Sequence, residues 1–193
     1  NFKNNISRNE VVIAGANNGI LHAFDTSNGD ELWGYIPPNI LGKLSETISS
    51  TANKTTSIYG VDGSPMVKDI YFDDTPNDSQ NNPRWRTVLI SGLGAGGKGY
   101  FALDITDTSN PRHLFAIEND DLNKKINHWG ENETLTSYSY AVGSTIADNV
   151  DYSKLGEAIS TPRIIKIKVD NKDKWVAVFG AGYNSATNPD LGS

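Results

Sequence analysis

Short apolar runs alternate with polar turns along most of this chain. Residues 11–14 and 87–90 are almost continuously apolar, which is typical of inner strands that are covered on both faces. In residues 20–25 large and small side chains mix, and an Asn-Gly pair at Asn28 then favours a type I′ hairpin turn. The pattern therefore predicts β-strands joined by tight turns.

A four-stranded unit repeats along the chain. In its central copy, strands are predicted at residues 66–72, 86–91, 100–105 and 113–117. The first copy has strands at 11–14, 20–25 and 31–36, and the last has strands at 163–169 and 175–180. Such repeats predict an all-β fold of antiparallel, quinoprotein-like β-propeller blades. Residues 1–193 then form part of a single propeller domain, with blade segments at about 11–36, 62–117 and 160–193.

Three polar segments separate the predicted blades, at about 41–61, 73–85 and 118–158, and are interpreted as long loop insertions on the blade rims. Within or beside them, residues 38–43 and 122–127 are each predicted to form one or two helical turns. Trp33 and Phe115 occupy equivalent places near the ends of two blades. Each is expected to cap the gap between neighbouring blades.

Charge and composition exclude several classes of protein. The formal net charge is -6 and the chain has no basic stripe, so nucleic-acid binding is not expected. Cysteine is absent, which excludes thiolate zinc sites, catalytic thiols and disulfides. No apolar run reaches the roughly 18 residues of a membrane helix. The first residue is Asn, so we expect a processed protein or a piece of a longer one.

Residues 94–99 superficially resemble a phosphate-binding loop. Such a loop needs Ser or Thr after its lysine and a helix behind it, whereas Gly99 and a predicted strand follow Lys98. A glycine-rich hairpin is the better interpretation. Asp25 and Asp104, each at the end of a strand, are interpreted as turn residues that accept hydrogen bonds from nearby backbone amides.

Candidate metal ligands are few. Oxygen ligands for calcium occur at Asp73, Asp74, Asn77 and Asp78, but their spacing matches no standard loop and no Glu closes it. The three histidines lie far apart in sequence and are expected to serve packing or turns. No catalytic motif and no cofactor-binding residue is evident.

The strand and turn residues resemble one family closely. The segments that carry the resemblance are 19–25 (GILHAFD), 61–65 (VDGSP), 87–106 (TVLISGLGAGGKGYFALDIT) and 175–185 (WVAVFGAGYNS). They are similar to the C-terminal β-propeller of the PilY or PilC type IV pilus biogenesis and adhesion factors. The chain would then contain about two and a half blades.

The resemblance implies a non-enzymatic factor of the bacterial cell surface at the pilus tip. Its expected partners are minor pilins, a host-cell or surface ligand, and an N-terminal von Willebrand-type adhesive domain of the same polypeptide. The family's calcium loop is expected in later blades, so no calcium ligand is transferred to residues present here. Residues 41–61 and 118–158 are the expected contact surfaces.

Two other classes of protein have propeller blades that end in similar residues, and each gives an alternative function. A pyrroloquinoline-quinone-type dehydrogenase would need quinone-stacking partners and a calcium-linked carboxylate, and many of these enzymes use an adjacent-cysteine disulfide that this chain lacks. A periplasmic scaffold for outer-membrane assembly is the second alternative. A quinone absorbs in the near ultraviolet, and a scaffold would co-purify with an outer-membrane complex instead of minor pilins.

Overall fold

The computed structural model describes residues 8–47, 59–72 and 84–183, and they form three antiparallel sheets. The first sheet contains β1 (Val11–Gly15), β2 (Leu21–Asp25) and β3 (Glu31–Tyr35). The middle sheet contains β4 (Met66–Phe72), β5 (Arg84–Gly92), β6 (Gly99–Asp104), β7 (Arg112–Asp120), β8 (Lys125–Trp129) and β9 (Leu135–Ser139). The third sheet contains β10 (Arg163–Val169) and β11 (Lys172–Val178). Strands are paired in sequence order within each sheet.

Each strand that the sequence predicted is present, with ends that differ by three residues or fewer. The helical prediction at 38–43 is also confirmed: a 3-10 turn, Pro38–Ile40, leads into α1, Leu41–Thr47. A second 3-10 turn, Asp148–Val150, follows the middle sheet. The all-β, propeller-like architecture is confirmed, and the sheets do not close into a ring in the described part. The blade boundaries themselves stay a prediction.

The middle sheet is covered on both faces, because side chains alternate across a strand. Leu89, Phe101 and Leu103 pack in one cluster with Leu21 and other residues of the first sheet. On the opposite face a second cluster joins the middle sheet to the third. This two-sided burial explains why residues 87–90 are almost continuously apolar.

The gaps between sheets are closed by aromatic side chains, as expected. Trp33 packs against the cluster between the first and middle sheets, and its indole Nε1 donates to the Thr108 carbonyl oxygen at 2.8 Å. Phe115 lies between the middle and third sheets. In that second gap Tyr100 stacks on Phe179, with ring centroids 4.0 Å apart.

Backbone contacts hold the sheets at a fixed distance. Gly15 and Gly92 end equivalent strands, and a Cβ atom at either would collide with a carbonyl oxygen, of Val61 and of Ala158 respectively. Hydrogen bonds cross the same places: the Val61 amide donates to Ala16 at 3.2 Å, and the Gly94 amide donates to the Ala158 carbonyl oxygen at 3.1 Å. Glycine is required at Gly15 and Gly92 because the backbone there is in direct contact with another backbone segment.

Three sequence predictions differ from the structure. The helical turns predicted at 122–127 are wrong, since β8 begins at Lys125 after a tight turn in which Lys124 has a φ of 54°. The hairpin after β2 is present, but Gly29 has a positive φ (79°) and Asn28 does not, so the turn is not type I′. Asp25 stabilises the observed turn by accepting hydrogen bonds from the Ser27 amide and hydroxyl.

β1 was also predicted to be covered on both faces, and this is wrong for the described part of the chain. Val12 is 55% exposed, because no described sheet covers the face of β1 that points away from the middle sheet. Only the opposite face of β1 is packed, because Ile13 contacts the cluster that lies between the first and middle sheets. The apolar run therefore identifies a strand without showing that both faces are buried.

The three predicted loop insertions differ from one another in the secondary structure that they contain. Residues 118–158 contain β8 and β9, which extend the sheet beyond the four strands of the repeat. Within 41–61, residues 41–47 form α1 and Val61 is buried in the core. Most of 73–85 lies outside the described residues.

Candidate interaction surface

Asp25 and Asp104 are equivalent turn anchors, as the sequence predicted. The Ser27 amide and hydroxyl donate to Asp25 Oδ1 at 2.8 and 2.6 Å. The Thr106 amide and hydroxyl donate to Asp104 Oδ1 at 2.9 and 2.6 Å. These bonds lower the pKa of Asp25 below its ordinary value. Both carboxylates therefore stabilise turns.

Asp104 has a second role, because its Oδ2 lies among cations. Arg86 Nη1 donates to it, and Arg112 Nη2 lies 3.4 Å away. Arg86 and Asp104 are both buried, at 3% and 7% exposure. Burial alone would raise the pKa of Asp104, but the Thr106 bonds and the Arg86 guanidinium outweigh it and hold the pKa below its ordinary value. The pair is ionised and structural.

A pocket of about 310 Å³ adjoins this ion pair. Arg86 and Arg112 line it together with Asp104 and Asp107, so its cations and carboxylates balance. Such a lining favours neither an anion nor a cation. We assign the pocket no chemistry.

The glycine-rich segment 94–99 forms the connection between β5 and β6, and no helix follows it, as predicted. The Lys98 ammonium lies 2.6 Å from Asp121 Oδ2 and is therefore paired within the protein. Lys43 donates to the Gly96 carbonyl oxygen at 2.6 Å. The phosphate-loop alternative has no support from this geometry.

The histidines lie on three different strands. His22 Nδ1 is 2.7 Å from Glu31 Oε1 on the neighbouring strand. His113 is buried, and its Nδ1 lies 2.7 Å from the Tyr35 hydroxyl across the gap between two sheets. Burial lowers the pKa of His113. These contacts agree with packing roles for both residues.

No group of three or more His, Asp or Glu side chains suited to a metal occurs within residues 8–47, 59–72 and 84–183. The weak calcium candidates Asp73, Asp74, Asn77 and Asp78 lie outside those ranges. The metal assignment therefore stays a prediction.

The middle sheet carries an extension, residues 121–147, that includes β8 and β9. Its base is fixed by Asn119, which is 3% exposed. The Asn119 amide nitrogen donates to the carbonyl oxygens of Ser153 and Leu155 at 3.1 and 2.7 Å, and its Oδ1 accepts from Tyr140 at 2.8 Å. A single buried side chain thus ties the extension to the loop that leads into the third sheet.

The outer part of this extension exposes large apolar side chains. Leu122 is 91% exposed, Leu135 is 51% exposed and Val142 is fully exposed. Leu135 pairs with Trp129 at one end of the β8–β9 hairpin, whereas Leu122 and Val142 lie beyond the Lys125–Ser139 pair at the other end. The sequence predicted residues 118–158 as a contact surface, but it indicated neither the two added strands nor the role of Asn119. The available signal was the two apolar residues Ile126 and Trp129, followed by a glycine turn and the Thr- and Tyr-rich residues 134–140.

No helix in the described ranges has the length and apolarity needed to cross a bilayer. The helix α1, for example, contains seven residues.

Two curated proteins are similar to this chain over most of its length. A curated relative from Pseudomonas aeruginosa, named type IV pilus biogenesis factor PilY1, is 41% identical over 175 residues, covering 90% of this chain. A PilY1 homolog from Xylella fastidiosa is 30% identical over 185 residues, covering 96% of it. The chain spans about a tenth of these relatives' lengths, 11% and 10% respectively.

A solved structure shows the same arrangement. The crystal structure of the Pseudomonas aeruginosa PilY1 C-terminal domain matches 94% of this chain and 26% of its own, with a TM-score of 0.55 and 30% identity. The family model described as the PilY1 beta-propeller domain matches residues 2–192. The chain belongs to the PilY1 β-propeller family.

Proposed function

We propose that this chain is a propeller segment of a type IV pilus biogenesis factor and acts by binding, without catalysis. The relatives carry the name of type IV pilus biogenesis factors, which supports a role in pilus assembly. The proposed location is the cell surface at the pilus tip. The proposed partners are minor pilins and a host-cell or surface ligand, together with an N-terminal adhesive domain of the same polypeptide.

The observation that carries this proposal is the extension 121–147. Leu122, Leu135 and Val142 present apolar surface from a base that Asn119 holds in place. Burying exposed apolar side chains against a partner removes apolar area from water, which favours association. The extension is the proposed pilin-binding surface.

The test uses the full-length protein in a strain that lacks the native gene. The triple variant Leu122→Ser, Leu135→Ser, Val142→Ser is expected to reduce surface pili and co-purification with minor pilins. The matched control is Glu131→Ser, an exposed change in the same extension that removes no apolar surface. Protein abundance and melting temperature should match the wild type in both variants. Unchanged pilus number and unchanged minor-pilin recovery in the triple variant would contradict the proposal.

The quinone-dependent alternative has a direct test. The absorbance spectrum of the purified full-length protein should show no near-ultraviolet band beyond that of its aromatic residues. A bound quinone would add such a band and would reverse the assignment. For the scaffold alternative, the decisive result is recovery of an outer-membrane complex in place of minor pilins.

A further inference from the structure

The outermost strand of the middle sheet, β9, has a composition that is uncommon at the exposed edge of a sheet. Residues 134–147 contain no charged side chain and no proline, and β9 itself is Leu-Thr-Ser-Tyr-Ser. Edge strands of soluble proteins usually carry charge, proline or a bulge, which prevents another chain from pairing with them. The pairing of β8 with β9 runs without a bulge. The strand β9 therefore lacks the features that block further pairing.

The hydrogen bonds of the hairpin identify the backbone groups of β9 that face away from the sheet. The Tyr140 amide donates to the Lys124 carbonyl oxygen at 2.9 Å, so Tyr140 directs its backbone groups toward β8. Because antiparallel residues alternate in this respect, Leu135, Ser137 and Ser139 direct theirs away from β8. Within the described ranges, no strand pairs with that side of β9. We call the backbone groups of these three residues the β9 edge.

Side-chain hydrogen bonds hold β9 in a fixed position on the sheet. The Ser137 hydroxyl donates to Asn127 Oδ1 at 2.7 Å, and Asn127 Nδ2 donates to Glu118 Oε2 at 2.9 Å. This row of side chains connects β9 through β8 to β7, a strand of the repeat itself. The Tyr140 hydroxyl adds a bond to Asn119 Oδ1 at 2.8 Å. An edge that is already ordered loses little conformational entropy when a strand is added to it.

Apolar side chains lie at both ends of the β9 edge. Leu135 is 51% exposed at the start of β9, and Val142 is fully exposed just beyond its end. These two side chains are at opposite ends of the hairpin and do not form one compact patch. A strand that paired along the whole of β9 would contact both of them.

The two ends of the hairpin also differ in charge. Glu131 and Glu133 are exposed in the turn that precedes β9, whereas Lys124 and Lys125 are exposed at the other end. The aspartates at 120–121, on the lysine side, already accept hydrogen bonds within the protein. An antiparallel segment would therefore be favoured by an acidic residue near its N-terminal end and a basic residue near its C-terminal end.

We propose that the β9 edge binds an extended segment of a minor pilin, which adds to the middle sheet as a seventh strand antiparallel to β9. This inference rests on the proposed function and specifies how the extension contacts its partner. The segment has an uncharged centre, with acidic and basic residues at its N-terminal and C-terminal ends. Main-chain hydrogen bonds supply the affinity, and the charged ends determine the direction of the segment.

Hydrogen exchange tests the proposal on the purified full-length protein, with and without the purified soluble domains of the minor pilins. Saturating pilin should slow exchange of the Leu135, Ser137 and Ser139 amides by at least about tenfold, because each gains a main-chain acceptor. The Thr136 and Tyr138 amides, which already face β8, report whether the hairpin is folded in each sample.

Two variants of the full-length protein separate main-chain pairing from side-chain contact. Ser137→Pro removes an outward amide hydrogen and places a ring where the added strand would lie. Ser137→Ala is the matched control, since it loses the same hydroxyl bond to Asn127 but keeps the amide. Titration calorimetry with the pilin domains should give a Kd at least about tenfold weaker for Ser137→Pro than for Ser137→Ala. Equal Kd values for the two variants would overturn the proposal.

The other outcomes separate this inference from the proposed function. If the pilins bind while the outward amides stay unprotected, the inference is wrong and pilin binding by the extension stands. If the pilins do not bind at all, both are wrong. Protection that appears without pilins and grows with protein concentration would also overturn the inference, because a second copy of this chain would then occupy the edge. If Ser137→Pro unfolds the hairpin, the exchange of the wild-type protein decides.

Discussion

At the scale of single residues, two equivalent aspartates differ in what surrounds their second oxygen. Asp25 Oδ2 accepts from the Asn9 side chain at 2.9 Å. Asp104 Oδ2 instead accepts from Arg86, a buried guanidinium. Removing a carboxylate that neutralises a buried cation costs far more than removing one that accepts a neutral hydrogen bond.

Asp104→Asn is therefore expected to destabilise the chain by about 3–5 kcal/mol, because the buried Arg86 guanidinium loses the charge of the Asp104 carboxylate. Asp25→Asn is the matched control, and it should lower stability much less because no cation is left behind. Urea unfolding midpoints measure both. Equal losses in the two variants would show that the ion pair contributes little.

His113 gives the stability a dependence on pH. Burial lowers the pKa of His113 below its ordinary value of 6.5, so the folded chain keeps His113 neutral where the unfolded chain takes up a proton. The stability contribution is fully present above the unfolded pKa and is lost as the pH falls below it. Acidification through this range should weaken the fold.

The variant His113→Asn should show a smaller loss of unfolding free energy than the wild type between about pH 7.5 and about pH 5.5. Asn can still bond to the Tyr35 hydroxyl but does not titrate. Urea midpoints at both pH values measure the difference. A wild-type loss no larger than that of the variant would assign the pH dependence to other groups.

At the scale of elements, the extension 121–147 depends on a connection outside its own strands. β8 pairs with β7 and β9 pairs with β8, while Asn119 at the end of β7 binds both the loop after the extension and Tyr140. Buried amides of this kind are costly to remove, because they leave backbone carbonyl groups without donors.

Asn119→Ala should lower stability by about 1–3 kcal/mol and accelerate amide exchange in β8 and β9 more than in β5 and β6. Asn123→Ala, an exposed change that loses only the side-chain bond from Asn123 Nδ2 to Asp120 Oδ2, is the control and should leave exchange in the extension close to wild type. Uniform acceleration across the sheet by Asn119→Ala would mean that the extension and the sheet open as one unit.

The strands of the repeat were predictable from sequence because each combines a strong apolar run with glycine or Asn-Gly punctuation. The added strands were not, since β8 carries only Ile126 and Trp129 as apolar side chains and β9 is largely hydroxyl residues. Asn119 could not be recognised as an anchor, because its three partners lie 21 to 36 residues further along the chain. Sequence patterns report local periodicity, and this site depends on distant contacts.

At the scale of the whole molecule, the three sheets depend on one another for burial. The middle sheet packs against a neighbour on each face, whereas the outer sheets leave Val12 55% and Val178 50% exposed. The described part thus resembles a stack with two uncovered ends, in which each sheet is stabilised mainly by its neighbours.

Residues 1–193 alone should therefore unfold at a lower temperature than the same residues within the longer polypeptide. The longer polypeptide is expected to be more stable because its neighbouring sheets cover the exposed faces. Thermal unfolding followed by near-ultraviolet circular dichroism of both samples, with the middle-sheet amides followed by hydrogen exchange, provides the comparison. A cooperative, monomeric transition at an unchanged midpoint would show that the three sheets are self-sufficient.

The glycine contacts at Gly15 and Gly92 bear on how such proteins diversify. Where main chain meets main chain, the rotation from one sheet to the next is determined by atoms that every amino acid possesses. Side chains elsewhere can then be exchanged, and loops lengthened, without altering the angular pitch of the assembly. A surface for new ligands can evolve on the loops while the geometry between neighbouring sheets stays constant.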